Sequence, residues 1–199
     1  MAILTTECVL CFPNIFSPMF KSKDFQKEGD PKVYQITLLV PKSDTEGIAK
    51  INKEIDAAKA AGVEKGLWDA KSAPKKSPLR DGDTDDGARP EYAGHMFMIC
   101  KQNDRPDGRF KPVALGRDAK VTTDTKLFYP GSIVRAEITA FPFNNKTKGI
   151  GFSFSVVMSI KDGERIGSGG SSDLSAFSDF AVQAESESFQ SFATDGDLE

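Results

Sequence analysis

Two neighbouring segments constrain this chain more than anything else in it. "GSIVRAEITAFPF" (131–143) places Val134, Ala136, Ile138 and Ala140 on one side and Arg135, Glu137, Thr139, Phe141 and Phe143 on the other. "GIGFSFSVVMSI" (149–160) sets Phe152, Phe154, Val156, Met158 and Ile160 against Ser153, Ser155 and Ser159. A period of two marks a strand with one buried face, and a helix cannot satisfy it. "NNKTKG" between them is polar and turn-forming, so the pair is expected to make a hairpin.

Earlier segments continue the pattern. "KVYQITLLVPK" (32–42) alternates Tyr34, Ile36, Leu38 and Val40 on one face, and "GHMFMICKQ" (94–102) is a short strand around Phe97. One segment has a helical period, "SDTEGIAKINKEIDAAKAAG" (43–62). There Ser43 and Glu46 have capping-box spacing, Ile48, Ile51 and Ile55 form a stripe, and Gly62 is a stop signal. Strands separated by turns, with one inserted helix, predict a mainly β protein: a small antiparallel barrel.

The length of 199 residues fits one domain plus a tail. The division falls at "GSGGSS" (167–172), a flexible-linker composition, giving a body of 1–166 and a tail of 167–199. Of the 29 Asp and Glu residues, seven lie after Gly167, where there is no Lys or Arg; the body keeps 22 acids against 26 bases, a charge of about +4. That asymmetry suggests a polyanion partner for the body and an acidic interaction tail. The tail is too poor in apolar residues to offset the entropy of ordering and is expected to be disordered, yet it carries Phe177, Phe180, Phe189 and Phe192. No apolar run approaches a membrane span, and "MAILTTECVLCF" has no basic leader region, so neither a transmembrane segment nor a signal peptide is expected. Three cysteines do not make a disulfide framework, which favours a reducing cytoplasm.

Catalysis finds little support. The single histidine, His95, sits beside "MFMIC" with no nucleophile motif or phosphate loop in the chain. "DGDTDDGARPEY" starts like a calcium loop with Asp81, Asp83 and Asp85, but Asp86 replaces the required glycine and Tyr92 the bidentate glutamate. "CVLC" (Cys8, Cys11) has zinc spacing, and His95 and Cys100 would be needed to complete four ligands. In a strand the thiols of Cys8 and Cys11 point to opposite faces, so buried structural cysteines are the favoured reading, and no cofactor is expected.

The stronger signal is aromatic residues among bases. Lys75, Lys76 and Arg80 lie in a proline-bounded loop; Tyr92, Phe97 and Lys101 follow; Phe141, Phe143, Lys146 and Lys148 surround the hairpin turn, with Arg135 on the same face as Phe141. Single-stranded nucleic acid needs this combination, because cations track phosphates while flat rings stack on unpaired bases. Phe152 and Phe154 face the apolar side and are expected in the core.

In order along the chain, "FPNIFSP", "YQITLLVPK" with its helix, "PLRDGD", "YPGSIVRAEITAFPFNN" and "KGIGFSFSVVMSIKDGERIG" resemble the bacteriophage single-stranded DNA-binding proteins once grouped as a domain of unknown function. The resemblance covers about residues 3–167. It implies an OB-fold barrel that binds single-stranded DNA with little sequence preference, serves phage DNA replication, recombination or repair in the bacterial host cytoplasm, and has no catalytic role. It also implies an acidic tail that competes for the DNA groove and docks replication or recombination proteins; a homodimer partner stays open. Related proteins often end in acids followed by an aromatic residue, whereas this chain ends Asp197-Leu198-Glu199. Two other readings stand beside this one: an RNA-binding OB protein, since stacking does not separate the polymers, and an assembly protein that touches no nucleic acid.

Overall fold

The computed structural model describes residues 1–20, 30–145 and 147–167. Among them, eight strands and one long helix follow in the order β1 (Ile3–Leu4), β2 (Cys8–Met19), β3 (Val33–Pro41), α1 (Thr45–Glu64), β4 (Arg80–Asp81), β5 (His95–Asn103), β6 (Val113–Leu115), β7 (Ile133–Asn144) and β8 (Lys148–Lys161). Five of the strands close a circuit: β7 pairs β2, β2 pairs β3, β3 pairs β5, β5 pairs β8, and β8 returns to β7. The pairing is antiparallel except where β8 meets β5 and β6. Two seams are short, Cys100↔Phe152 between β5 and β8 and two residue pairs between β2 and β7, so the barrel is irregular. The expected mainly β, OB-like barrel with one inserted helix is present; the expected disorder of the tail lies outside the described residues, as does residue 146.

Alternation fills the interior. Leu10, Ile36, Leu38, Val40, Met98, Cys100, Val134, Ala136, Ile138, Phe152 and Phe154 share one buried cluster, which Ile51, Ile55 and Ala58 of α1 join. The hairpin holds its register from Asn144↔Lys148 to Ile138↔Phe154. There β8 carries one extra residue, Ser155, because Glu137 pairs with Val156. This bulge reverses the faces beyond it. Val157 and Ser159 turn inward, and Val156, Met158 and Ile160 are half-buried, which corrects the expectation that those three continue the core stripe.

The helix begins one residue later than its capping box suggests. Asp44 is the N-cap, accepting from the Gly47 amide at 2.9 Å, and its other carboxylate oxygen takes the Thr6 hydroxyl. Gly62 does not stop the helix; it lies within it, because a Cβ there would meet the Trp68 ring at 2.1 Å. A second, smaller cluster of Cys11, Leu39, Tyr92 and Phe97 covers the outer side of β2, β3 and β5. Leu39 and Phe97 therefore point away from the barrel interior and are still buried.

Candidate nucleic-acid interface

β7 and β8 position two phenylalanine rings by pairing each with a glycine. Phe141 lies across from Gly151, and Phe143 across from Gly149. A Cβ on Gly149 would stand 2.5 Å from Phe143 Cζ, and one on Gly151 3.0 Å from Phe141 Cζ. The rings thus settle into the space that absent side chains leave, their centroids 6.4 Å apart. An aromatic ring covering a cross-strand glycine is a stable sheet device. It leaves the upper faces open, and Phe141 remains 40 % exposed.

These rings form one side of a groove of about 780 Å³. Ile99 and Lys101 of β5 and Lys148 of β8 extend that side, and the segment from Lys71 to Arg80 makes the other. Asn144 Nδ2 donates to the Leu67 carbonyl at 2.7 Å, tying the hairpin end to the chain that leads into this segment. Lys71, Lys75, Lys76, Lys101 and Lys148 are all exposed. The groove has the dimensions and lining to hold a chain of phosphates beside flat apolar faces, and among the described residues its lining contains no carboxylate pair.

Of the residues singled out from sequence, Lys75, Lys76, Lys101, Phe141, Phe143 and Lys148 meet in this groove. Arg80 also lines it, but its guanidinium lies 4.3 Å from the centre of the Phe97 ring and donates to Asp85 at 3.1 Å. Tyr92 and Phe97 do not offer stacking faces: they are 4 % and 1 % exposed, packed together at 4.8 Å. The physical reason is that Arg80, Leu39 and Cys11 enclose them. Arg135 is on the outer side of β7, six residues from Phe141, about 20 Å at the strand rise. It stands instead near Glu7, whose carboxyl the Lys161 hydrogen bond holds below its ordinary value, with Arg135 adding a smaller pull. Lys146 lies outside the described residues. Sequence reasoning missed Lys71, Ile99 and the two glycines. For Gly149 and Gly151 a signal existed, since their spacing of two mirrors that of Phe141 and Phe143.

The metal-like patterns resolve into other structure. Lys42 Nζ sits 2.6 Å from both Asp81 and Asp83, so an ammonium fills the centre of the acidic loop. Those contacts hold both carboxyls below the usual range and raise Lys42. Gly82 of "PLRDGD" is required because a Cβ would lie 2.2 Å from the Tyr92 carbonyl oxygen. Cys8 and Cys100 belong to the interior cluster and Cys11 to the outer one, as strand geometry demands. Burial pushes the thiols of Cys8 and Cys11 up to about 12 and that of Cys100 upward as well. His95 Nδ1 is 2.8 Å from the Ala93 carbonyl.

Comparison with known proteins agrees with this architecture. Putative protein p50 of Acyrthosiphon pisum secondary endosymbiont phage 1 is 28 % identical over 195 residues, which is 94 % of this chain and 98 % of that one. The solved single-stranded DNA-binding protein of bacteriophage Enc34, in complex with ssDNA, superposes with a TM-score of 0.64 at 24 % identity, covering 83 % of this chain and 89 % of that one. The single-stranded DNA-binding protein gp2.5 of bacteriophage T7 gives 0.59 at 16 % identity, over 96 % and 98 %. These two likenesses establish the fold. The family model described as "Enterobacter phage Enc34, ssDNA-binding protein" matches residues 1–190, and the chain belongs to that family.

Proposed function

We propose that this chain binds single-stranded DNA in the groove between the Lys71–Arg80 segment and the β7–β8 hairpin, with little sequence preference. The observation that carries the reading is the pair of rings on Gly149 and Gly151, open above and bordered by lysines. Every base has a face to stack on a ring and every nucleotide a phosphate, so such a site reads the polymer and not its sequence. The family is one of binding proteins, and the chain's role is protective coverage of single strands in phage replication, recombination or repair, in the host cytoplasm. Among the described residues no helix is long and apolar enough to cross a membrane.

The tail has a matching role in this reading. Its seven carboxylates stand in for phosphates and its phenylalanines for bases. Tethered through "GSGGSS", it reaches an effective concentration near the groove on the order of millimolar. It competes with weak ligands, yields to authentic single strands, and when released engages replication or recombination proteins.

The test is oligo(dT) binding across a salt titration. Log affinity should fall linearly with log salt, and Lys75→Glu with Lys76→Glu should shallow the slope by roughly 0.7 for each phosphate no longer neutralised. Truncation after Gly167 should tighten binding most at low salt, where charges are least screened. A peptide of residues 171–199 should then compete with oligo(dT) for the truncated chain. Failure of the full chain to bind at low salt would favour an assembly protein instead.

A further inference from the structure

Phe12 has φ +49°, the left-handed region that a bulky side chain rarely adopts. The cause is a bulge in β2: Cys11 pairs with Thr37 and Asn14 with Gln35, so β2 carries one residue more than β3. Strained positions of this kind persist where the surroundings impose them, and they concentrate at binding sites. The extra residue lets Leu10 and Ile15, five apart and so on opposite faces of an unbroken strand, both enter the core. It also presents the Phe12 ring outward, 36 % exposed, with the Arg89 guanidinium 4.6 Å from its centroid.

The position of this pair matters. Arg89 lies three residues before Tyr92, and Cys11 packs with Tyr92 in the outer cluster, so Phe12 is on the outer side of the barrel. The same side of β5 contributes Ile99 and Lys101 to the groove. Lys101 pairs with Gln35, and Gln35 with Asn14. Both Gln35 and Asn14 are half-buried and polar. Two strand spacings, about 10 Å, therefore separate the groove edge from the strand that bears Phe12.

We propose that Phe12 with Arg89 is a second base-stacking station for single-stranded DNA. The strand then runs from Phe141 and Phe143 past Lys101 and over Gln35 and Asn14 to the Phe12 ring. Arg89, held only loosely by Glu91 at 4.0 Å, meets a phosphate there. The proposal rests on the single-stranded DNA reading and extends it from one groove to a path across β5, β3 and β2.

Phe12→Gly separates binding from stability, because glycine takes positive φ freely while the ring is removed. The thermal midpoint should stay level or rise. Affinity should be measured for oligo(dT) from about 4 to about 16 nucleotides, the span of OB-fold site sizes. Long oligonucleotides should bind roughly 5- to 150-fold more weakly, the loss of one stack, while the shortest bind as to the unaltered chain. Arg89→Ala should reduce the salt slope on long oligonucleotides by about 0.7. Equal affinity of Phe12→Gly and the unaltered chain at every length overturns the second station and leaves the groove standing. A lowered midpoint with unchanged affinity also overturns it, making Phe12 a cover for the outer cluster. Failure of the unaltered chain to bind any oligo(dT) overturns the functional reading itself.

Discussion

Tyr92–Phe97 and Phe141–Phe143 are aromatic pairs on the outside of one barrel, each beside lysines and arginines, and they end in opposite environments. Phe97 has Leu39 across one strand boundary and Arg80 across the other, and Tyr92 closes over it. Side chains on every flank leave it 1 % exposed. Phe141 and Phe143 have glycines across the boundary, so they are supported from beneath and uncovered above. Both pairs lie near basic residues in the sequence; the partner strand decides which becomes core and which becomes a platform.

The comparison can be broken at three points. Phe97→Ala should have the largest effect, about 3–5 kcal/mol of stability, the usual cost of emptying a buried ring site. Thermal denaturation should show a midpoint lowered on the order of 10 °C for a domain of this size. Phe141→Ala with Phe143→Ala should leave that midpoint nearly unchanged and weaken oligo(dT) binding by about 1–3 kcal/mol per stacked base. If the double variant unfolds instead, both pairs are core and the distinction fails. Gly149→Ala should give a smaller effect still: a methyl 2.5 Å from Phe143 Cζ forces the ring to tilt off its stacking position, costing about 1 kcal/mol in affinity, the low end of one stack. Gly151→Ala, at 3.0 Å, should cost less, and a reversed order in filter binding would show that the rings do not rest on these glycines.

Much of this was legible because a period of two survives any tertiary context. Tyr34, Ile36, Leu38 and Val40 are buried as their spacing requires, and the hairpin around residue 146 pairs as expected. What periodicity cannot carry is an insertion. "SVVMSI" fits either face, and only the pairing of Glu137 with Val156 shows that Ser155 is the extra residue. Nor does alternation say whether an outer face is covered, which is why Phe97 and Tyr92 looked available. Asp44 displaced Ser43 as the helix cap through a contact with Thr6, 38 residues away. Gly62 looked like a stop because glycine often is one; the Trp68 ring that needs the space lies beyond the helix. The groove's lysines and phenylalanines were visible as residue types, and their convergence followed from the barrel that brings 71–80 beside 141–151.

If the groove takes single-stranded DNA as proposed, Asp85 shapes how the strand is held and let go. It takes the Arg80 guanidinium at 3.1 Å and lies 4.0 Å from Lys76, so two of the groove's cations face a resident anion before any strand arrives. A phosphate reaching them trades places with a carboxylate of the same sign, and the driving force is the difference between two similar attractions. Lys75 and Lys148, which face no such carboxylate among the described residues, draw the strand in at full strength. Arrival is thus governed by one set of charges and grip by another. On the proposed reading the chain loads quickly onto a single strand, holds it loosely, and keeps a carboxylate ready at Arg80 and Lys76 to replace a phosphate that leaves.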